Sequence, residues 1–572
     1  MTILKKLQDA KDLEDLAKIL GFSPKGISYI IYKLEENSKY KKFKIKKSHG
    51  GEREICAPIE PLKTLQRRLA NVLYASVDSI EAEKGINSTS HGFRRGHSII
   101  SNARKHKRRR YVLNLDLKDF FPTFNFGRVR GFFISDNRFG FHENVATLIS
   151  QIACHENSLP QGSPCSPIIA DLIANILDAR LVRLAKDHKV TYSRYADDIT
   201  FSTSLKKFPA ALAQPVAGEG PDWKLADPLT KAIEGAGFKI NPDKTRMQFR
   251  DGRQLVTGLT VNDKVNIRPE YYRYARSMCH QAFKSGKYYR PSKVSVVGEK
   301  EPEMIESLNP LEGILSHIHH VKDTIDVRIE PEKRRHGTAA RQLYRRFLIF
   351  KKFVCLDQPL VICEGKTDSI YLKCALRKLT PSFPELAKIK DEKFTSKISF
   401  FNYTGRVHSV LELGGGTEDL KFFFIKTRYH EIINRFGHKP LQHPVIVLID
   451  NDDGAKGLFK TIKQNFGITI DLQSDDKFYH ITDNLYLVKT IEKGESGKSC
   501  IEDCFEPSLL ETKVKGKKFN SLKYGGASGG YGKFVFAEQV VRPNADKIDF
   551  NGFKPLLERI TAAIVDYKSR VP

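Results

Sequence analysis

The spacing of apolar positions changes several times in the first part of the chain, and each spacing predicts a different element. Residues 1–35 carry apolar side chains at helical spacing, which predicts short helices. The segment KKFKIKKSHGGEREICAP predicts two strands that meet at His49-Gly50-Gly51. A further helix is predicted from about 62 to 75.

Three segments further along combine apolar elements with acidic or glycine-rich turns. YVLNLDL predicts a buried strand that ends at Asp116, and LPQGSPCSPIIADLIANIL predicts a turn followed by a helix. YSRYADDITFSTS predicts two strands that meet at Ala196-Asp197-Asp198. The stretch that follows, from about 206 to 230, is rich in Pro, Gly and Ala, which predicts a surface insertion.

The second half of the chain changes from helical patterns to alternating strands and helices. Helical patterns dominate from about 268 to 350, with polar or charged breaks near 296–308 and 330–340. From Pro359 onward, PLVICEGKTDSIYL and HPVIVLIDNDDGAKGL are apolar strands that each run into a turn and then a helix. This alternation is typical of an α/β fold, so a second domain is predicted from about 355.

The charge of the chain indicates a polyanionic partner. Of its 572 residues, 95 are Lys or Arg and 67 are Asp or Glu, which gives a formal net charge of +28. Such an excess attracts polyanions, most commonly nucleic acid, although an anionic membrane surface is an alternative. Hydrophobic residues at 40% and aromatic residues at 10% are sufficient for buried cores, which excludes global disorder. A chain of this length is expected to form several domains.

Cysteine usage and the N-terminus bear on the compartment. The nine cysteines are scattered; Cys500 and Cys504 are the closest pair, and nothing stands beside them at zinc spacing. His317, His319 and His320 have no thiolates nearby, and we interpret them as a solvated helix face. The N-terminal segment lacks a signal-peptide core, and no stretch approaches about 18 apolar residues. A reduced, cytoplasmic compartment and no membrane span are therefore expected.

The aspartates of these segments suit chemistry with two metal ions. Nucleotide transfer from a triphosphate needs two hard cations about 4 Å apart, one at the 3′-oxygen and one at the triphosphate. Asp197 and Asp198 at a hairpin tip, facing Asp116 at a neighbouring strand end, supply the oxygen ligands. An Asp-Asp pair alone is usually only a turn. The order of strand-Asp, Pro-Gln-Gly-Ser-Pro and Tyr-Ala-Asp-Asp is what distinguishes this pair from an ordinary turn.

In this order the segments resemble those of reverse transcriptases, which implies roles for the matching positions. Asp116, Asp197 and Asp198 are similar to the catalytic, metal-binding carboxylates. Phe121 resembles the aromatic gate that selects deoxyribose by crowding a 2′-hydroxyl. The resemblance also implies positions that bind substrate or template: Asp119 near the triphosphate, Gln161 and Gly162 under the template and incoming base, Arg53 with Lys44 or Lys46 on phosphates, and Lys244 as proton donor to pyrophosphate.

Two further motifs resemble retron reverse transcriptases. The signature NAxxH begins at Asn102, shortly after HGFRRGHSI, and the signature VTG begins at Val256. The resemblance covers about residues 1–350 and implies fingers, palm and a helical thumb from about 268. It also implies priming from the 2′-hydroxyl of an internal guanosine in a cognate structured noncoding RNA. The product would be branched msDNA made in the cytoplasm of a bacterium.

Acidic residues also follow strands in the C-terminal region. Glu364 follows the strand LVIC, and Asp450 and Asp452 follow VIVLI. Acids at the carboxyl ends of parallel strands converge in a crevice that can hold Mg²⁺, although a single acid there often only caps a helix. The two motifs in this order resemble the toprim fold of topoisomerases, primases and OLD-type nucleases. The resemblance implies Glu364 as general acid/base or ligand, the two aspartates as ligands, and, from late OLD-like segments, Glu502 as a ligand and Lys533 as a catalytic lysine.

The expected fold class is an α+β right-hand polymerase over residues 1–350, followed by an α/β toprim domain with a parallel sheet over 355–572. Part of 375–440 is expected to be an insertion. The expected function is retron-type, RNA-directed DNA synthesis with two Mg²⁺ ions and dNTPs. The fused toprim domain is expected to be a nuclease with one or two Mg²⁺ ions that serves antiphage defence and is restrained by the RNA–DNA product. Expected partners are the noncoding RNA, its msDNA and a nucleic-acid substrate of the nuclease; a homo-oligomer is left open.

Two alternatives stay open. The chain could be a group II intron-like or other cellular reverse transcriptase with a DNA-processing toprim domain, and NAxxH and VTG would then be coincidental. A neighbouring self-splicing intron would favour that alternative, whereas a short inverted-repeat RNA gene would favour the retron. The toprim domain could also be a scaffold without catalysis, although its carboxylates are intact.

Overall fold

The computed structural model of the protein describes residues 1–46, 51–85, 88–216, 223–290, 303–520 and 530–570. Within it the chain forms two compact units, Met1–Pro269 and Glu270–Pro572. The predicted turn at His49-Gly50 lies outside the described residues, as do parts of the predicted insertion at 206–230 and of the polar break at 296–308.

The first unit mixes helices with small antiparallel sheets. Its helices are α1 (Ile3–Asp9), α2 (Leu13–Leu20), α3 (Pro24–Ser28), α4 (Leu62–Lys84), α5 (Ile99–Lys105), α6 (Phe126–Ser135), α7 (Glu143–Ala153), α8 (Ser166–Asp187) and α9 (Asp227–Glu234). Its strands are β1 (Tyr40–Lys46), β2 (Glu52–Pro58), β3 (Tyr111–Lys118), β4 (Thr191–Tyr195), β5 (Asp198–Thr203), β6 (Ala213–Pro215), β7 (Trp223–Leu225), β8 (Lys239–Phe249), β9 (Leu255–Val256) and β10 (Leu259–Thr260). The predicted hairpin of β1 and β2 is confirmed, whereas α4 extends well beyond its predicted end near 75.

A four-stranded antiparallel sheet lies at the centre of this unit, in the order β4-β5-β3-β8. Val112, Leu113 and Leu115 of β3 are buried, because the strand has neighbours on both edges and helices against its face. Helix α8 is apolar around most of its surface and buries Ile169 and Ile173. The sheet therefore brings the end of β3 beside the turn that joins β4 and β5.

The second unit combines helices with a five-stranded sheet. Its helices are α10 (Pro269–Ser285), α11 (Asn309–Ile325), α12 (Glu330–Arg335), α13 (Ala339–Ile349), α14 (Asp368–Lys378), α15 (Gly405–Leu411), α16 (Thr417–Phe424), α17 (His430–Asn434), α18 (Lys456–Phe466), α19 (Pro507–Leu510), α20 (Lys533–Val535) and α21 (Lys554–Arg570). Its strands are β11 (Tyr288–Tyr289), β12 (Met304–Ile305), β13 (Leu360–Cys363), β14 (Ala387–Lys390), β15 (Lys393–Ser396), β16 (Ser399–Phe400), β17 (Val445–Ile449), β18 (Tyr479–Thr482) and β19 (Leu485–Lys489). The sheet has the order β16-β13-β17-β19-β18, and only β18 pairs antiparallel.

The helices from α10 to α13 pack directly against the sheet-containing part of the second unit. The rings of Phe283 and Phe436 are 5.0 Å apart, and Phe350 lies 4.9 Å from Phe436. Arg345 forms an ion pair of 3.1 Å with Glu412. Packing therefore continues across residue 355, and a functional boundary there stays a prediction.

The solvated helix face predicted for the histidines of α11 is partly wrong. His319 is buried, with its ring 5.5 Å from that of Tyr344 on α13. Its side of the helix covers α13, whereas His320 is exposed as predicted. Burial lowers the pKa of His319, so a neutral imidazole packs there as a core side chain.

In the parts of the chain that the structure describes, no helix combines the length and the apolar character needed to span a bilayer.

Candidate active sites

The three predicted polymerase aspartates come together from adjacent strands. Asp116 on β3 lies opposite Asp198 on β5 in the antiparallel register. Asp197 belongs to the turn between β4 and β5, and its carbonyl accepts a hydrogen bond of 3.0 Å from Leu117 N. Asp116 is 5% exposed, whereas Asp198 is exposed at the start of β5. One end of the sheet thus carries all three carboxyl groups.

The close approach of these carboxylates favours their protonated forms. Although Asp198 reaches solvent, the loss of hydration beside its neighbours, followed by the charges of Asp197 and Asp116, raises its pKa to about 7. Burial and Asp116 likewise raise the pKa of Asp197. A hard divalent cation stabilises three carboxylates that otherwise repel one another, so the residues fit Mg²⁺. Among the described residues, no three acidic, histidine or cysteine side chains already surround one point in ligand geometry.

Two residues of β8 contact Asp116. Lys244 Nζ lies 2.9 Å from Asp116 Oδ1, and Asn241 Nδ2 donates to Asp116 Oδ2 at 3.1 Å. Lys244 was a predicted site residue and is found there. Asn241 was missed, although it stands in the same GFKINPDK segment, three positions before the lysine. Asp116 is therefore held by a positive charge and an amide.

Phe121 and Asp119 lie just beyond the end of β3. The ring of Phe121 is half-buried, 6.0 Å from that of Phe93 and 5.6 Å from that of Phe120. Asp119 has a φ of +49°, and its carbonyl accepts a hydrogen bond of 3.1 Å from Thr123 N. The chain thus turns sharply after β3. Phe121 follows this turn, five positions after Asp116 in the sequence.

The Gln161-Gly162 loop packs against β2. The carbonyl of Gln161 accepts a hydrogen bond of 2.8 Å from Cys56 N. Gly162 has a φ of +123°, and a Cβ there would lie 2.8 Å from the Cys56 carbonyl, so a side chain would force the two apart. Arg53 stands on the same strand, and its charge partly offsets the effect of burial on the pKa of Asp197.

The two predicted lysines of the hairpin are exposed. Lys44 forms an ion pair of 3.1 Å with Glu52, across the hairpin from it. Lys46 is the last residue of β1 and is exposed. Their assignment to phosphates stays a prediction.

The NAxxH segment lies behind the aspartate hairpin. His106 is fully buried; its Nδ1 is 2.7 Å from Ser202 Oγ on β5 and its Nε2 is 2.7 Å from Ser193 Oγ on β4. Asn102 accepts a further hydrogen bond from Ser193 Oγ at 2.5 Å. Burial lowers the pKa of His106 to about 3, so the ring is neutral and can donate from one nitrogen while it accepts at the other. Thr257 of VTG donates to the carbonyl of Ile99, the first residue of α5. VTG is therefore in contact with the helix of the NAxxH segment, behind the aspartate hairpin.

The predicted C-terminal acids meet at the carboxyl ends of parallel strands. Glu364 directly follows β13 and Asp450 directly follows β17, and these strands are neighbours. Asp450 N donates to Glu364 Oε2 at 3.2 Å, and Ile501 N donates to Asp450 Oδ1 at 2.9 Å. The two carboxylates are therefore fixed by backbone amides at one edge of the sheet.

Glu502 and Lys533 join this second cluster. Lys533 Nζ lies 2.9 Å from Glu502 Oε2 and 4.0 Å from Asp450 Oδ2. Glu502 is 2% exposed, and within the described residues its Oε1 has no hydrogen-bond partner. A buried carboxylate oxygen without a partner is costly unless something else binds it, so the cluster fits a cation.

Asp368 was missed, and Asp452 has a second role. Asp368 ends the EGKTD motif, is buried, and accepts a hydrogen bond of 2.6 Å from Gly365 N. Burial, followed by the charge of Asp368, raises the pKa of Asp450 to about 8. Asp452 caps the next turn, since its Oδ1 accepts from Gly454 N at 2.8 Å. The signal that could have found Asp368 is its place in the sequence, four positions after Glu364.

Comparison with known families concerns the part of the chain that contains the first site. The family model for reverse transcriptase (RNA-dependent DNA polymerase) matches residues 45–274. The retron Mx65 and Mx162 reverse transcriptases of Myxococcus xanthus are 35% and 32% identical over 48% and 55% of this chain. These matches cover 63% and 64% of the two proteins, so the chain spans less than two thirds of their length. The retron Ec86 reverse transcriptase of Escherichia coli is 31% identical over 48% of this chain and 78% of that protein.

Solved structures give weaker similarity. Apo telomerase of Candida tropicalis, truncated from its C-terminal domain, has a TM-score of 0.27 at 15% identity, over 41% of this chain and 56% of that one. Telomerase of Candida albicans with a fragment of telomeric RNA has a TM-score of 0.30 at 11% identity, over 56% and 64%. Scores this low carry no argument. The family model and the 31% identity over 78% of the Ec86 protein are the evidence for the family. This chain belongs to the retron reverse transcriptase family.

Proposed function

We propose that the protein is an RNA-directed DNA polymerase that copies part of a cognate structured noncoding RNA into DNA. The observation that carries this proposal is the placement of Asp116 opposite Asp198, with Asp197 in the adjoining turn. Three carboxylates at one end of the sheet are the ligands that nucleotidyl transfer needs. Membership of the retron family supports the same activity.

Two Mg²⁺ ions would be held by Asp116, Asp197 and Asp198, and when bound they would supply charge neutralisation at the attacking oxygen and the triphosphate. The remaining roles belong to side chains of the protein. Lys244, positioned by Asp116, donates a proton towards the leaving pyrophosphate. Phe121 excludes a 2′-hydroxyl from the incoming nucleotide.

The thumb offers a surface for the RNA. Helix α10 exposes Arg273, Arg276, His280 and Lys284, which are spaced three or four positions apart and so share one face. Basic side chains along a helix contact phosphates and recognise an RNA stem by shape rather than by base sequence. By family likeness the RNA also primes synthesis, through the 2′-hydroxyl of an internal guanosine.

Coexpression of the chain with the RNA encoded beside its gene tests this proposal. We expect branched single-stranded DNA linked to RNA, detected by a mobility shift on debranching. Its absence with the wild-type protein would refute the retron activity, as would its persistence in Asp197→Ala/Asp198→Ala.

Phe121→Ala is expected to weaken the preference for deoxyribonucleotides. Removing the ring opens the space that a 2′-hydroxyl would occupy, so the ratio of kcat/KM for dNTP over NTP should fall about 10-fold or more. Single-nucleotide extension on an RNA template measures this ratio. Phe249→Ala is the matched control, because Phe249 pairs with Tyr111 at the opposite end of β3 from Asp116. Equal ratios in both variants would contradict the role of Phe121.

Gly92→Ala is expected to displace the catalytic turn. A Cβ at Gly92 would lie 2.3 Å from Ala196 N, closer than any stable contact. Because the turn must shift, kcat for DNA synthesis should fall about 10- to 100-fold. Gly131→Ala, where a Cβ meets nothing within 4 Å, is the control for kinetics and for thermal unfolding. Wild-type kcat in Gly92→Ala would show that the turn tolerates the shift.

We further propose that the C-terminal cluster is a toprim-type, Mg²⁺-dependent nuclease site. The observation that favours it is the convergence of Glu364, Asp450, Glu502 and Lys533 at the ends of parallel strands. A bound Mg²⁺ would polarise a phosphodiester, Glu364 would act as general acid/base, and Lys533 would neutralise charge on the phosphate. Asp368 and Asp452 are the other acids of this cluster, and we call its acids together the acidic edge.

The proposed role of this nuclease is antiphage defence, with the RNA–DNA product restraining it until infection. Exposed lysines beside the acidic edge suit a polyanionic substrate, among them Lys366 and Lys498. Induced wild type and Glu364→Ala would be compared for plaque formation. Equal protection by both would instead support a domain that only scaffolds the nucleoprotein.

A further inference from the structure

A buried arginine lies directly behind the catalytic turn. Arg194 on β4 has 0% of its side chain exposed. Its Nε and Nη2 donate to the two oxygens of Asp178 at 2.8 and 2.7 Å, and Nη2 also donates to Asp171 at 2.9 Å. Both aspartates belong to α8, so the guanidinium is anchored on the helix that supports the sheet.

The remaining arm of this guanidinium reaches the turn itself. Arg194 Nη1 donates to the carbonyl of Ala196 at 3.1 Å. Ala196 directly precedes Asp197 and has a φ of +55°, a conformation that alanine adopts only when its surroundings hold it. The hydrogen bond from Arg194 is a contact that does so.

The two aspartates have further partners in this buried group, so their carboxylates are satisfied by more than Arg194. Arg94 Nε donates to Asp171 and its Nη1 donates to Glu81 at 2.9 Å. Tyr192 OH donates to Asp178 at 2.6 Å. A buried ion pair gives little net stability compared with apolar packing, and what it does provide is a defined geometry. An arginine suits that purpose because its planar fork can meet two carboxylates and a carbonyl at once.

We propose that Arg194 is a positioning residue for DNA synthesis, which fixes the turn that carries Asp197 and Asp198 relative to Asp116. The inference rests on the proposed polymerase function and assigns to Arg194 no contact with substrate. Its role is to hold the Ala196 carbonyl, and through it the backbone of the two aspartates.

Arg194→Lys in the full-length chain tests the proposal, because lysine keeps the charge but cannot reach all three partners. Tyr192→Phe is the matched control, since it removes one hydrogen bond from the same buried group without touching the turn. Amide hydrogen exchange of the peptide spanning 192–200, measured without metal, is the first readout. Single-nucleotide kinetics with separate kcat and KM is the second, and thermal unfolding corrects both for global stability.

In Arg194→Lys we expect exchange in the turn to be about 10-fold faster, and kcat to fall about 100-fold with KM for dNTP nearly unchanged. Tyr192→Phe should show neither effect. Turn exchange and kcat equal to those of Tyr192→Phe would overturn the proposal. If Arg194→Lys does not fold, Asp178→Asn is the substitute test, because it weakens the contact of Arg194 with α8 and keeps the arginine. Wild-type exchange and wild-type kcat in Asp178→Asn would also overturn the proposal. Wild-type protein that makes no DNA, with the turn still loosened in Arg194→Lys, would refute the polymerase function alone.

Discussion

Asp198→Asn is expected to abolish DNA synthesis, with kcat lowered about 10³-fold or more. The carboxylate lies opposite Asp116 in the sheet, and an amide in its place halves the oxygen donors and removes the charge that a metal ion requires. Extension of an RNA-templated primer by one nucleotide measures the loss. Asp187→Asn, at the exposed end of α8, is the control. Activity within tenfold of wild type would remove Asp198 from the catalytic set.

The same substitution should stabilise the metal-free protein at high pH. The pKa of Asp198 is raised from 3.8 to about 7, so the folded state binds more protons than the unfolded state between these values. Wild-type stability therefore falls as pH rises through that window, whereas the asparagine variant is spared this loss. In EDTA at pH 8 the variant should gain about 1 kcal/mol, a small value because solvent screens the exposed carboxylate. At pH 4 the difference between the two proteins should vanish, and thermal unfolding at both values tests it.

Asp450→Asn is expected to eliminate nucleic-acid cleavage, by about 10³-fold or more, and to leave DNA synthesis intact. Asp450 lies between Glu364 and Lys533, with its backbone N 3.2 Å from Glu364 Oε2 and its Oδ2 4.0 Å from Lys533 Nζ. An amide there cannot ligate Mg²⁺ as strongly, and it frees Lys533 from one of its two acidic neighbours. Cleavage of labelled DNA and RNA in Mg²⁺ is the measurement.

The control for this experiment is Asp391→Asn, in the exposed turn between β14 and β15. Asparagine tolerates the φ of +50° at that position, so the variant should fold and cleave as wild type does. Equal cleavage by Asp450→Asn and Asp391→Asn would locate the nuclease activity elsewhere or exclude it. Loss of DNA synthesis in Asp450→Asn would show that the two activities are not separable.

The end of the sheet that carries Asp116, Asp197 and Asp198 could be predicted because each of its parts has a local signal. A strand that ends in Asp116 and a hairpin with Asp197 and Asp198 at its tip are visible in short segments of sequence. Arg194 and its two aspartate partners gave no such signal, since an arginine in a strand and acids in a helix are ordinary on a surface. Their burial and pairing depend on contacts between distant segments, which spacing alone does not reveal.

The C-terminal cluster illustrates the same limit. Glu364 and Asp450 stand behind recognisable strands, so their meeting follows from the order of a parallel sheet. Glu502 and Lys533 do not directly follow an apolar strand in the sequence, so they could be named only from family likeness. Asp368 was overlooked because an acid at a helix start is most often a cap. For His319 the helical period was clear, but the partner that covers its face was not.

The packing of α10 and α13 against the C-terminal half has a practical and evolutionary consequence. Phe283 and Phe350 share one aromatic cluster with Phe436. A polypeptide that ends near 355 would expose these phenylalanine rings to solvent and tend to aggregate. Gene fusion or fission at that point would have required new side chains on both halves. The two proposed activities are thus expected to be inherited, expressed and lost together.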